Sequence, residues 1–103
     1  MVLTVFRNRL RSEALQDYLQ WAARISELAM RMPGYISHKG FVAEDGERVT
    51  IVEFESEETQ RAWRMLPEHV EAQKKGRQEF YSEFRLQICS VQRETVHPPR
   101  RPA

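Results

Sequence analysis

MPGYISHKGFVAEDGERVTIVEFES, residues 32–56, is the stretch from which the fold can be read. Pro33-Gly34 stops the segment before it, because proline restrains its predecessor and glycine supplies a left-handed exit. Tyr35 to Ala43 is rich in β-prone side chains (Tyr35, Ile36, Phe41, Val42). Asp45-Gly46 marks a hairpin turn, since both residues can take positive φ at low cost. Arg48 to Glu55 alternates, with Val49, Ile51 and Glu53 on one side and Thr50, Val52 and Phe54 on the other. An isolated hairpin is marginal in water. It therefore needs flanking strands to pair with and helices to cover it.

Both flanks supply them. Val2–Leu10 reads as a strand with Thr4, Phe6, Asn8 and Leu10 on one face and Leu3, Val5, Arg7 and Arg9 on the other. Ser12 is the expected N-cap of a helix in which Leu15, Tyr18, Leu19, Ala22, Ile25, Ala29 and Met32 recur at helical spacing. Ser56 caps a second helix carrying Ala62 and Trp63, with Glu57 and Glu58 suited to the positive end of its dipole. Pro67 predicts a break near Leu66 and a restart. The restarted helix runs through His69 and Gln73 towards Phe80, with Gly76 predicting either a packing demand or a loosening. Phe84 to Val91 alternates again as a last strand.

The order β-α-β-β-α-β gives a ferredoxin-like α+β fold, a four-stranded antiparallel sheet with both helices on one face. Apolar residues also occur on the other face, so a second copy of the chain is the expected cover, which predicts a homodimer. The domain is expected to span residues 1–93. Residues 94–103, with three prolines in the last six positions and Arg100-Arg101, are expected to form a tail.

Charged residues make up 30% of the chain and the net charge is only +1. That balance gives no reason to expect a nucleic acid or an anionic membrane as partner. Cys89 is the only cysteine, so no internal disulfide or thiolate metal cluster can form. No apolar run approaches 18 residues and no signal-peptide pattern opens the chain, so a cytoplasmic protein is expected.

Trp63 and His69 stand out as chemical candidates. His69 and Gln73 lie four apart and share a helix face. His69 is either a structural histidine or a functional one, and Trp63 is either a core-closing indole or a pocket wall. Asn8 is unusual in a strand. It either meets water near the strand end or is buried, where it could orient a ligand carbonyl or dioxygen. Arg85 is a candidate cation for a phenolate, or a solvated outer-face arginine. No spacing of His, Asp or Glu resembles a metal site, and no glycine-rich phosphate loop occurs.

The segments PGYISHKGF, DGERVTIVEFES, AW and PEHVEAQKKGRQEFYSEFRLQIC together resemble the antibiotic biosynthesis monooxygenase superfamily, in particular its small stand-alone members, over Val2 to about Arg93. The resemblance implies a dimeric α/β barrel built from ferredoxin-like subunits. It also implies a cofactor-independent monooxygenase that oxidises an aromatic or quinol-like small molecule with dioxygen and needs no metal. The site would comprise Trp63, His69 and Asn8 as catalytic groups, with Thr59, Gln73 and Arg85 around the substrate. Thr59 stands where an asparagine is often found. Heme-degrading members suggest an alternative, since Asn8 and Trp63 match two of their three positions, but the iron-ligand position falls near Gln73. A non-catalytic dimeric module that binds a small ligand is the third reading.

Overall fold

The first strand, β1 (Val2–Leu10), lies inside the sheet, and its pairing sets which side chains face the helices. It runs antiparallel to β3 (Arg48–Phe54) on one side and to β4 (Tyr81–Ser90) on the other. The hairpin partner β2 (Tyr35–Val42) pairs with the far edge of β3, giving the order β2-β3-β1-β4. Thr4 lies opposite Val52 and Ile88, and Phe6 opposite Thr50 and Leu86, so these residues share one face. The helices α1 (Leu15–Met30), α2 (Glu57–Arg64) and α3 (Pro67–Lys75) pack over that face. This computed structural model describes residues 1–99; Arg100-Arg101 and the end of the expected tail lie outside the described residues.

The α+β class and the antiparallel four-stranded sheet agree with the sequence, but the expected barrel does not form. The sheet is open, with β2 and β4 as its two edges. Those edges are separated by β3 and β1, and four strands are too few to curl round until the edges meet. The dimeric α/β barrel is therefore corrected to an open sheet layered under helices.

The hairpin turn also differs in detail. Among the described residues only Gly34 and Gly46 have positive φ, so Asp45 does not join Gly46 in the left-handed region. Val42 pairs with Arg48, which leaves five residues between them. The Gly46 amide donates to Ala43 O at 2.9 Å, and the Ala43 amide to Glu47 O at 2.8 Å. This longer turn needs only one left-handed residue, which glycine provides.

Helix α1 starts later than expected. Its N-cap is Ala14, and the Ser12 hydroxyl donates to Glu13 instead. The Arg11 amide is tied to Phe80 O at 2.8 Å, which holds residues 11–14 in a turn leading into the helix. Helix α2 starts as expected, with Ser56 and Thr59 forming a reciprocal capping box. The break before Pro67 occurs, and proline occupies the first turn of α3. Gly76 does both things foreseen for it. The helix widens into a π-turn over Gly76–Phe80, and the Tyr81 ring occupies the space a Cβ at Gly76 would need. As a result β4 begins at Tyr81 rather than Phe84.

The core has two centres. One joins Ala29, Val52, Phe54 and Trp63; the other joins Ala14, Tyr18 and Phe80.

Candidate functional site

Between the two core centres lies a half-open cavity of about 190 Å³. Thr4, Phe6, Thr50 and Val52 form its floor on the sheet, and α1 to α3 form the walls. The alternation of β1 and β3 puts these side chains up, and helical spacing puts Trp63 and Gln60 down towards them.

Trp63 is buried and belongs both to the core and to the cavity wall. Its indole stacks on Phe54 with centroids 5.4 Å apart. Its Nε1–H donates to Ile25 O at 3.2 Å, pinning α2 to α1. The indole N–H is thus used internally, and Trp63 offers a ligand apolar ring surface rather than a donor.

The half-buried imidazole of His69 lies against that ring, 4.4 Å between centroids and 30° from parallel. Pro67 restarts the chain so that His69 falls in the first turn of α3, beneath the end of α2. Its Nδ1 is 3.4 Å from Trp63 O. A carbonyl can only accept, so this contact favours the proton on Nδ1 and leaves Nε2 with a free lone pair. Burial pushes the His69 pKa below its ordinary value; the Trp63 carbonyl opposes that shift and the charge of Arg64 adds to it. The lowered pKa favours the neutral ring, and the Nδ1 contact leaves its Nε2 lone pair as the acceptor. Burial likewise pushes the Tyr81 phenol far above its ordinary value, helped by Tyr18, so Tyr81 in the cavity wall stays protonated.

The other residues named from sequence fall in different places. Gln73 lines the cavity and donates its amide to Arg64 O at 3.3 Å. Asn8 is on the helix-facing side and 1% exposed, so the buried outcome holds, but it does not line this cavity. Both its amide atoms are buried without a protein partner. Thr59 is committed to the capping box and packs against Gly34, where an added Cβ would come within 2.6 Å of its side chain. Arg85 pairs opposite Arg7 on the outer face, away from the cavity. Trp63, His69 and Gln73 are thus brought together; Asn8, Thr59 and Arg85 are not.

Three cavity residues with an unpaired buried polar atom, Gln60, Thr4 and Arg64, escaped the sequence reading. Gln60 is 1% exposed and Thr4 is 5% exposed, and each presents a buried polar atom with no protein partner. The available signal was Gln60 at three residues before Trp63, hence on the same helix face. It is masked by its polar neighbours Glu57, Glu58 and Arg61.

A heme does not fit this arrangement. Asn8 lies outside the cavity, Gln73 is turned to a carbonyl, and about 190 Å³ falls below the roughly 300–1,000 Å³ of ordinary ligand pockets. Among the described residues no group of three His, Cys, Asp or Glu is placed to hold a metal, and no helix is long and apolar enough to cross a membrane.

The comparisons with known proteins agree with the architecture. A sequence model of the family described as "Antibiotic biosynthesis monooxygenase" matches residues 1–75. The uncharacterized protein YqjZ of Bacillus subtilis (strain 168) is 28% identical over 92 residues, covering 89% of this chain and 81% of that one. Rv0793 from Mycobacterium tuberculosis superimposes with a TM-score of 0.81 at 14% identity, covering 92% of this chain and 98% of that one. SnoaB from Streptomyces nogalater, described as a cofactor-independent oxygenase, superimposes with a TM-score of 0.76 at 17% identity, covering 95% and 97%. At such identities the structural likeness speaks for the fold alone.

Proposed function

The chain belongs to the antibiotic biosynthesis monooxygenase family, and from that premise we propose that it is a cofactor-independent monooxygenase acting with dioxygen on an aromatic, quinol-like small molecule. The observation that carries this reading is the neutral His69 beside the Trp63 ring in an apolar cavity. A phenol seated against Trp63 gives its proton to His69 Nε2. The resulting phenolate, in a site poor in water, passes an electron to dioxygen, and the pair recombines as a C–O bond on the ring. The ring hydroperoxide then loses water. One oxygen atom remains as a quinone carbonyl; the other leaves as water with the ring hydrogen and the phenolic proton. His69 moves the proton, Trp63 orients the ring, and Gln73 borders the site. Asn8, Thr59 and Arg85 take no part in this reading because they lie outside the cavity.

The test is oxygen uptake with a panel of phenols and hydroquinones in chelator-treated buffer. One dioxygen consumed per quinone formed is expected, with His69→Ala lowering kcat/KM by about a hundredfold or more, as for loss of a general base. Turnover by His69→Ala at the native rate would remove His69 from the mechanism. Ligand binding without oxygen uptake would favour the non-catalytic module instead.

On the opposite face Leu3, Val5, Val49 and Ile51 form a partly exposed apolar strip, with Phe41 47% exposed beside it. A second copy of the chain is the partner proposed for that strip. Sedimentation at micromolar concentration should give twice the chain mass, and Val5→Lys should return it to one.

A further inference from the structure

Besides His69 and Gln73, the mostly apolar cavity wall carries a set of polar groups that the fold leaves unpaired. Gln60 Nε2, Thr4 Oγ1 and Arg64 Nε are all buried, all belong to residues that line the cavity, and none has a protein partner. Gln60 and Arg64 are four apart on α2 and share a face. An unpaired buried amide or hydroxyl is costly, and native proteins keep few of them. Cavity size adds a second constraint. An engineered apolar cavity of about 150 Å³ takes up benzene, so about 190 Å³ accommodates one ring or a fused pair within its walls.

We propose that Gln60, Thr4 and Arg64 form an anchoring subsite for the oxygen end of a mono- or bicyclic aromatic ligand. The Arg64 Nε–H can only donate, so the ligand presents a carbonyl or deprotonated hydroxyl oxygen there. The Gln60 Nε2 group likewise donates, whereas the Thr4 hydroxyl can donate or accept and so also tolerates a neighbouring hydroxyl. The rest of the ring system lies on the apolar wall. Anchoring one oxygen fixes which ring carbon is presented to the far side of the cavity, so the subsite governs regiochemistry. The substrate class deepens the monooxygenase reading, yet the subsite itself is tested by binding alone.

The experiment is calorimetric titration of the full chain, under argon, with 2-hydroxy-1,4-naphthoquinone, with naphthalene as the oxygen-free control and 1-hydroxyanthraquinone as the larger ring. The hydroxynaphthoquinone should bind at least tenfold more tightly than either other probe. Gln60→Leu should weaken its binding about tenfold, leave naphthalene unaffected, and raise the melting temperature, because a buried unpaired amide is replaced by a hydrocarbon of similar size. Thr4→Val, which keeps the side-chain shape, should show the same selectivity in smaller measure and serves if Gln60→Leu fails to fold. Equal binding of the hydroxynaphthoquinone by wild type and folded variant overturns the subsite. A tighter complex with the three-ring probe overturns the size assignment. If the pattern holds and no phenol is oxidised in air, the subsite stands and the monooxygenase reading falls.

Discussion

The two ends of the cavity are built differently. At one end Trp63 stacks on Phe54 and is hydrogen-bonded to the backbone of α1, with Val52 and Ala29 packed around it. These residues sit on β3 and on two helices that cross it. At the other end Tyr18, Phe80 and Tyr81 meet edge to face, at centroid distances of 6.0–6.3 Å. That end hangs on a π-turn and on the edge strand β4, where Phe84 and Leu86 line the cavity yet are 46% and 45% exposed. The well-braced end carries His69; the edge-strand end carries the more exposed lining residues. Proton transfer requires a fixed geometry, whereas entry of a ring requires side chains with room to move.

The strongest way to break this contrast is Trp63→Ala. It removes a buried indole and its bond to Ile25 O, and should cost about 3–5 kcal/mol in urea unfolding, the range for large aromatics in cores. A loss under about 2 kcal/mol would show that the Trp63 end is no better braced than the edge-strand end. Gly76→Ala probes the other end. Alanine is the better helix former by about 1 kcal/mol, and φ at Gly76 is an ordinary helical −58°. Yet its Cβ would meet the Tyr81 ring, and overpacking costs about 1–3 kcal/mol. A net destabilisation of about 1 kcal/mol is expected, together with weaker ring binding as Tyr81 shifts; a more stable variant with unchanged binding would show that Tyr81 moves aside freely.

The smallest expected effect is in the pH dependence at His69. Its folded pKa lies below the ordinary 6.5. Above about pH 6.5 both folded and unfolded chains hold it neutral, and it contributes no slope. As pH falls from there to the folded pKa, the unfolded chain binds more protons, so stability declines; below the folded pKa the loss is complete. Unfolding curves across pH 5–8 should show this decline in the native chain and a smaller one in His69→Gln. Equal slopes in the two would mean that the imidazole is as well hydrated folded as unfolded.

Much of the architecture was legible because periodicity and chain breaks are local. The alternation in Arg48–Phe54, the stop at Pro33-Gly34, the cap at Ser56 and the restart at Pro67 each act within a few residues. Boundaries were lost where a distant residue intervened. Phe80 ties down Arg11 and delays α1, and Tyr81 fills the space beside Gly76 and extends β4. The candidate site was legible only in part. Trp63 and His69 stood out by residue type, but Gln60 looks like any glutamine on a charged helix, and Thr4 like any strand threonine.

The sequence by itself determined the element order, the antiparallel sheet and the faces of β1 and β3, because these follow from spacing and turn chemistry along the chain; the family showed in the resemblance of its segments. Only the tertiary structure decided that the sheet stays open, that Asn8, Thr59 and Arg85 stand apart from Trp63 and His69, and that Gln60, Thr4 and Arg64 face one cavity without partners. Those outcomes depend on which surfaces the helices cover, and burial is a property of contacts between residues far apart in the chain.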